Sequence, residues 1–254
     1  MDASSVHALN GTGCGVIRFR RLVTVFAVVM CAGQALAHDP DADVLEVSEV
    51  SVVGERPMAS SSQHFIPDKE VLLQPQGRPA QVLRLIPGFV AVEHSGGAGK
   101  ADQYFLRGFD ADHGTDVAFF TDGMPINFRS HAHGQGYSDL SFIIPETIEG
   151  VDVSKGAYLP ELGDFNTAGA VNFRTREVVK EGVVQAAGGQ FDTQRYILMF
   201  SPTKDKIRTL FAGEAYYTNG PFINDNRYFR ANLLGKATTN LSNRDELTLT
   251  ATFQ

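Results

Sequence analysis

QYFLRGFDADHGTDVAFFTDGMPIN (residues 103–127) and IPETIEGVDVSKGAYLPELGDFNTAGAVNFRT (residues 144–175) decide the fold. Two short strand-forming runs, residues 103–107 and 116–121, flank a turn that carries Arg107, Gly108, Asp110, Asp112 and His113. Asp122-Gly123 reverses the chain, residues 127–138 form a loop, and Pro145 opens one helical turn. Residues 149–154 and 169–175 complete a small mixed sheet. Gly108, Gly123 and Gly169 suit tight turns where positive φ or close packing excludes a β-carbon. Upstream, residues 78–89 read as a helix: Pro79 suits the first turn, Val82, Leu83 and Ile86 share a face, and Pro87-Gly88 stops it. A strand over 89–93 and a glycine-rich loop, HSGGAGK at 94–100, follow.

Beyond Glu177 the pattern changes to long alternating strands. The clearest is residues 246–254, where Leu247, Leu249, Ala251 and Phe253 oppose Glu246, Thr248, Thr250, Thr252 and Gln254. A period of two marks a strand. Phe229, Ala231, Leu233 and Gly235 likewise oppose Arg230, Asn232 and Lys236, and a polar turn at 240–244 separates the two runs. Residues 207–218, 196–201 and, more weakly, 182–188 read as further strands. Transmembrane β-strands have about 9–11 residues, apolar outward and polar inward, with aromatic girdles at the interfaces. Tyr228-Phe229 and Tyr216-Tyr217 are candidates for such a girdle. A half-buried soluble sheet gives the same alternation.

The 254 residues are 43% hydrophobic and lack tryptophan, and a mean hydropathy of −0.11 is far from that of a helical membrane protein. The net charge of −7 argues against a nucleic-acid partner, which favours a basic face. Arg18, Arg20 and Arg21, the apolar run 22–31 and Ala35-Leu36-Ala37 read as an export signal over residues 1–37. The run is shorter than the about 20 residues of a membrane-spanning helix. Lipoprotein processing at Cys31 is the alternative, and Met30 before it is a poor fit. The two cysteines, Cys14 and Cys31, both precede the expected mature start at His38, which leaves the exported chain without a disulfide framework.

The order of Leu106-Arg107-Gly108-Phe109, Thr121-Asp122-Gly123-Met124-Pro125, Ile148-Glu149-Gly150-Val151-Asp152-Val153 and Gly169-Ala170-Val171-Asn172-Phe173 resembles the plug domain of TonB-dependent outer-membrane receptors. The resemblance implies an α+β plug domain, a small mixed sheet with short helices. The beginning of an antiparallel transmembrane β-barrel, incomplete in this chain, is expected after it. The expected organisation is a signal peptide (1–37), a TonB-box segment and linker (38–64), the plug (65–176) and the first barrel strands (177–254). Some 22 strands enclose a plugged lumen in such receptors, and the tail offers about five, so the expectation is the N-terminal part of a longer receptor. An autonomous plug-like periplasmic protein is the alternative.

Glu49, Val50, Ser51, Val52, Val53 and Gly54 form a β-prone run with loose flanks, which the resemblance makes a TonB box. Such a segment adds as a strand to a partner's sheet edge; an edge strand of the plug itself is the other reading. The resemblance further implies architectural roles for Arg107, Gly108, Asp122, Gly123, Glu149 and Gly169, with the Arg-Gly pair seating the plug on the wall through charged contacts. The chain departs from the family at Gly150, where Arg is usual, and at Lys155-Gly156-Ala157, where Arg-Gly-Pro is common.

SHAHGQGY at 130–137 is the sharpest chemical constellation. Two histidines two apart in a loop can turn towards one ion, and imidazole is a common ligand for zinc, copper, nickel and iron. His131 and His133 are therefore the candidate metal ligands, with His94, His113, Asp110 and Asp112 as further donors. The resemblance places this loop and the glycine-rich loop at the plug apex, so His94, His131, His133, Gln135 and Tyr137 are expected to face substrate and His113 to face elsewhere. The competing reading is that these histidines hold the loop's shape or bond the plug to the wall.

No nucleophile elbow, P-loop or dinucleotide fingerprint is present, and one clear helix cannot build a β/α barrel, so no enzyme is expected. The expectation is an energy-coupled receptor in the outer membrane of a Gram-negative bacterium. It takes up a scarce ligand such as a siderophore or other metal chelate and needs no cofactor of its own. Its expected partners are TonB with the inner-membrane energising complex, an extracellular small molecule and outer-membrane lipid, and no nucleic acid. A non-transporting periplasmic or surface ligand-binding protein and a non-functional remnant are the alternatives.

Overall fold

Turn chemistry and alternation divide the chain into two sheet systems. The computed structural model describes residues 61–93, 101–202 and 206–254. The expected export signal, the expected box at 49–54 and His94 with its glycine-rich loop lie outside the described residues.

The first system is mixed. β1 (Ser62–Pro67) pairs antiparallel with β7 (Ile148–Lys155), and β7 pairs antiparallel with β8 (Gly169–Thr175). β8 runs parallel to β5 (Val117–Thr121), and β6 (Met124–Pro125) completes the order β1-β7-β8-β5-β6. β2 (Phe89–Val92), β3 (Gln103–Leu106) and β4 (Phe109–Asp110) form a small second sheet. Both tight hairpins turn on two residues with positive φ: Arg107 (51°) with Gly108 (86°), and Asp122 (50°) with Gly123 (79°). That turn matches the right-handed twist of the strands it joins.

Gly169 answers a packing demand instead. A β-carbon there would lie 2.5 Å from the Ser154 carbonyl oxygen and 2.9 Å from Leu106 Cδ2. Gly150 is similar, because the Phe65 ring occupies the place of its side chain, with the Arg174 guanidinium 4.7 Å above that ring. The core includes Ile66, Leu83, Leu106, Phe119, Val171 and Phe173. Phe89, Tyr104 and Phe119 meet at tilted or edge-on angles, with the Tyr104 and Phe119 centroids 5.0 Å apart.

Two sequence expectations need correction. The segment read as a helix over 78–89 is a 3₁₀ helix, Pro79–Leu85. Ile86 precedes Pro87 and is extended (φ −84°, ψ 115°), which ends the segment early. The expected linker also ends sooner than residue 64, because β1 starts at Ser62 and α1 (Asp68–Leu72) follows it. Five residues are too few to show helical periodicity.

The second system is an antiparallel meander of β9 (Val183–Gly189), β10 (Thr193–Phe200), β11 (Ile207–Thr218), β12 (Tyr228–Asn240) and β13 (Glu246–Phe253). Its two faces are inverted relative to a soluble sheet. Leu198, Phe200, Phe211, Phe229 and Leu233 are exposed, whereas Arg195, Glu214, Arg230, Asn232, Lys236 and Thr238 are buried towards the mixed sheet. Along β12, Leu233 is 57% exposed and the adjacent Asn232 is 0% exposed. A half-solvated sheet turns its polar row outward; apolar outward and polar inward is the pattern of a strand in lipid.

One apolar island, Ile197, Met199, Leu210, Ala212 and Leu234, faces inward around Ile144. The expected aromatic girdle is only partly realised. Phe229 points outward, but Tyr216 turns inward with the Arg230 guanidinium 4.9 Å above its ring and Tyr228 beside it. Adjacent strand residues must take opposite faces.

Replacing Gly169 by Val is expected to cost about 2 kcal/mol or more through overpacking, whereas Gly77→Ala, which meets nothing within 4 Å, should be near neutral. Thermal unfolding in detergent, followed by circular dichroism, checks both.

Candidate functional site

The seam between the two sheet systems is made of charged groups. The 3₁₀ turn Pro145–Thr147 presents Glu146, and Arg195 donates to both of its carboxylate oxygens, at 2.5 and 2.8 Å. Arg195 Nε also donates to Glu214 Oε1 at 2.6 Å. Arg230 binds the same Glu214 through Nε (3.1 Å) and Nη2 (3.0 Å). Asn232 Nδ2 completes the group, donating to Glu214 Oε2 at 2.9 Å and to the Ser141 carbonyl at 2.7 Å. Two carboxylates and two guanidinium groups make a neutral, buried cluster.

A second seam contact centres on Asp122. Its carboxylate accepts from Thr175 N (2.8 Å), Thr175 Oγ1 (2.6 Å) and Lys236 Nζ (3.1 Å). Asp122 thus links the mixed sheet to the wall. Arg107 and Glu149 are exposed, and neither forms an ion pair among the described residues. Lys155 is buried and donates to the Pro87 carbonyl at 2.6 Å. Burial lowers its pKa, and the nearby Arg107 charge adds to the effect. Sequence reasoning missed Glu146, Arg195 and Glu214. For Arg195 and Glu214 the available signal was charge alternating with apolar residues, as at Arg230 and Lys236; Glu146, in a 3₁₀ turn, carries no such signal.

The SHAHGQGY loop sits at one end of the mixed sheet. Asn127 fastens it: its Nδ2 lies 2.9, 3.0 and 2.9 Å from the carbonyls of Gly114, Val117 and Gly136, and its Oδ1 accepts from Phe119 N at 2.7 Å. Ser138 N donates to the His113 carbonyl at 2.7 Å. The loop is thereby laid on the turn that carries Asp112 and His113. His113 is buried, with Nδ1 3.1 Å from the Asp102 carbonyl oxygen. Burial raises the pKa of the Asp102 carboxyl, against the pull of the Arg78 guanidinium that hydrogen-bonds it.

The two histidines of the loop go different ways. The chain bends at 132–133. His131 stacks on Tyr137, with centroids 4.1 Å apart and an interplanar angle of 14°, and its Nδ1 accepts from His133 N at 3.2 Å. His133 instead meets His113, with centroids 4.5 Å apart. Asp112 lies between the last two, 3.6 Å from Nε2 of each. The expected His131–His133 pair is therefore not the group the fold assembles, and His113, expected to face elsewhere, belongs to it. Gln135 is exposed, and the Tyr137 hydroxyl accepts from Ala101 N at 3.1 Å.

Register shows which end of the wall this loop is near. Asp122, at the end of β5, meets Lys236, whereas Ser141 meets Asn232, two periods of alternation nearer the 219–227 loop. His113 precedes the start of β5, away from Asp122. Phe191, Gly220 and Asn226 line the same cleft as Arg78 and Asp102. The loop thus lies at the end of the wall that bears the β9–β10 turn and the 219–227 loop.

Residues 55–170 match the family model of the TonB-dependent receptor plug domain. The chain carries a TonB-dependent receptor plug. It is 35% identical over 115 residues to the vitamin B12 transporter BtuB of Vibrio vulnificus, covering 45% of this chain and 18% of that protein. Among solved structures, the pyoverdine outer membrane receptor FpvA of Pseudomonas aeruginosa superposes with a TM-score of 0.58 at 20% identity, covering 76% of this chain and 27% of the receptor. The siderophore receptor PirA of Acinetobacter baumannii gives 0.56 at 17% identity, over 75% of this chain and 31% of the receptor. These likenesses establish the fold: a plug followed by the beginning of the antiparallel barrel wall. The chain spans less than a third of the length of these relatives.

Glu146→Ala is expected to destabilise the plug–wall seam by about 3–5 kcal/mol, because Arg195 loses its bidentate partner in a buried site. Combining it with Arg195→Met should cost less than the sum of the single changes by about 2 kcal/mol. A double-mutant cycle on thermal or denaturant unfolding in detergent measures that coupling.

Proposed function

We propose that this plug and wall belong to an energy-coupled outer-membrane receptor that takes up a scarce ligand of the siderophore or metal-chelate type. The observation that carries the reading is the inverted wall. Its apolar row suits outer-membrane lipid, and its buried charged row is complemented by the plug. The names of the similar proteins, a vitamin B12 transporter and two siderophore receptors, support the ligand class.

In this reading the ligand is captured at the SHAHGQGY end of the plug, beneath the longer loops of the wall, which in such barrels face the outside. The box at 49–54 pairs as an added strand with TonB. Tension then arrives at Ser62, the first residue of β1. β1 is an edge strand held by β7 alone, so it is the first ladder to open under load. Transport, and not catalysis, is the task, and no cofactor is required for it.

Deleting residues 49–54 is expected to abolish ligand-dependent growth and cross-linking to TonB while leaving outer-membrane insertion unchanged. Unaltered growth on the imported ligand after that deletion would sink the energy-coupling reading.

A further inference from the structure

We propose that Asp112, His113 and His133 bind a divalent late first-row transition-metal ion, of the Zn²⁺ or Ni²⁺ type, at the loop end of the plug. Three donor atoms, one from each residue, lie within 4.8 Å of one another. The Asp112 oxygens stand 3.6 Å from Nε2 of both histidines. That is too long for a hydrogen bond and close to the separation a shared ion imposes. Ligands about 2.1 Å from a tetrahedral Zn²⁺ are about 3.4 Å apart.

The tautomer fits as well. The His113 Nδ1 faces the Asp102 carbonyl at 3.1 Å, so that nitrogen carries the proton and Nε2 presents its lone pair towards Asp112 and His133. Asp112 is held at φ 45°, an uncommon conformation, by its amide donating to Asp110 Oδ1 (3.0 Å) and its carbonyl accepting from Tyr104 N (2.8 Å). These two hydrogen bonds fix the backbone from which the carboxylate reaches between the two rings.

Two imidazoles with one carboxylate select a borderline ion over Ca²⁺ or Mg²⁺, which take oxygen ligands. The His133 side chain is 49% exposed, so the site opens to solvent. Three protein donors leave at least one coordination position free. An open position suits an ion that arrives and leaves, either bare or held by a chelator, and not a closed structural centre. The role of the ion as cargo rests on the receptor reading; its binding does not.

The test uses the purified protein in detergent, stripped with EDTA and dialysed. Zinc chloride and, separately, the nickel complex of nitrilotriacetate are titrated by calorimetry, which distinguishes a bare ion from a chelated one. One ion per chain is expected. His133→Ala and Asp112→Asn should each weaken it at least about tenfold, and Asn tolerates the positive φ at that position. His131→Asn, which keeps an acceptor for His133 N while removing the imidazole, should leave affinity unchanged. Far-UV circular dichroism confirms that each variant is folded.

No saturable binding of either probe, unchanged affinity in His133→Ala, or an equal loss in His131→Asn overturns the site. Deleting residues 49–54 separates the two claims. A protein that still binds zinc but needs no box for uptake refutes the energy coupling alone. Uptake that persists when His133→Ala no longer binds the ion refutes the cargo role alone.

Discussion

Four buried charges hold the plug to the wall, and the rest of the structure follows from how they are divided. The inner face of the wall contributes Arg195 and Arg230 against a single carboxylate, Glu214, an excess of one positive charge. Glu146 from the plug supplies the missing anion. The division repeats at the second contact, where the wall contributes Lys236 and the plug Asp122. An unpaired charge in such a place costs several kcal/mol. Neither half is electrostatically complete alone, so the wall's polar row and the position of the Pro145–Thr147 turn are mutually dependent.

A seam of this chemistry differs from an ordinary core. Among the described residues, Ile144 joins the buried apolar island of the wall, while the seam contacts of Glu146, Asp122 and Ser141 are hydrogen bonds and ion pairs. Such bonds can be exchanged for bonds to water at a modest net cost each. Apolar surface has no such substitute. The plug itself is different, with a continuous hydrophobic core beneath the mixed sheet. A firm body in a polar socket is the arrangement that the proposed transport calls for. At its loop end the firmness extends to the side chains: Asn127 ties together the Gly114, Val117 and Gly136 carbonyls, so the histidine loop is presented in one shape.

Much of the fold was legible in the sequence because its signals are local. Asp122-Gly123 announces a two-residue hairpin, and Arg107-Gly108 does the same. The alternation along residues 229–239 shows which row of β12 is apolar. The elements that went unread are those whose stability is not local. β1 has no strong pattern and exists because β7 offers it an edge, α1 is too short to be periodic, and Ile86 breaks the expected helix because Pro87 follows it.

The chemistry divides along the same line. The sequence by itself determined that a plug is followed by strands apolar on one face, and that residues 130–137 carry the histidines. Backbone preference and side-chain alternation act over a few residues, so no partner is needed to read them. Only the tertiary structure decided which charges and which rings meet. It joined Glu146 to Arg195 across 49 positions, separated His131 from His133, and brought His113 in their place. Those pairings depend on the return of distant chain segments to one point, where burial makes an unmatched charge too costly to keep.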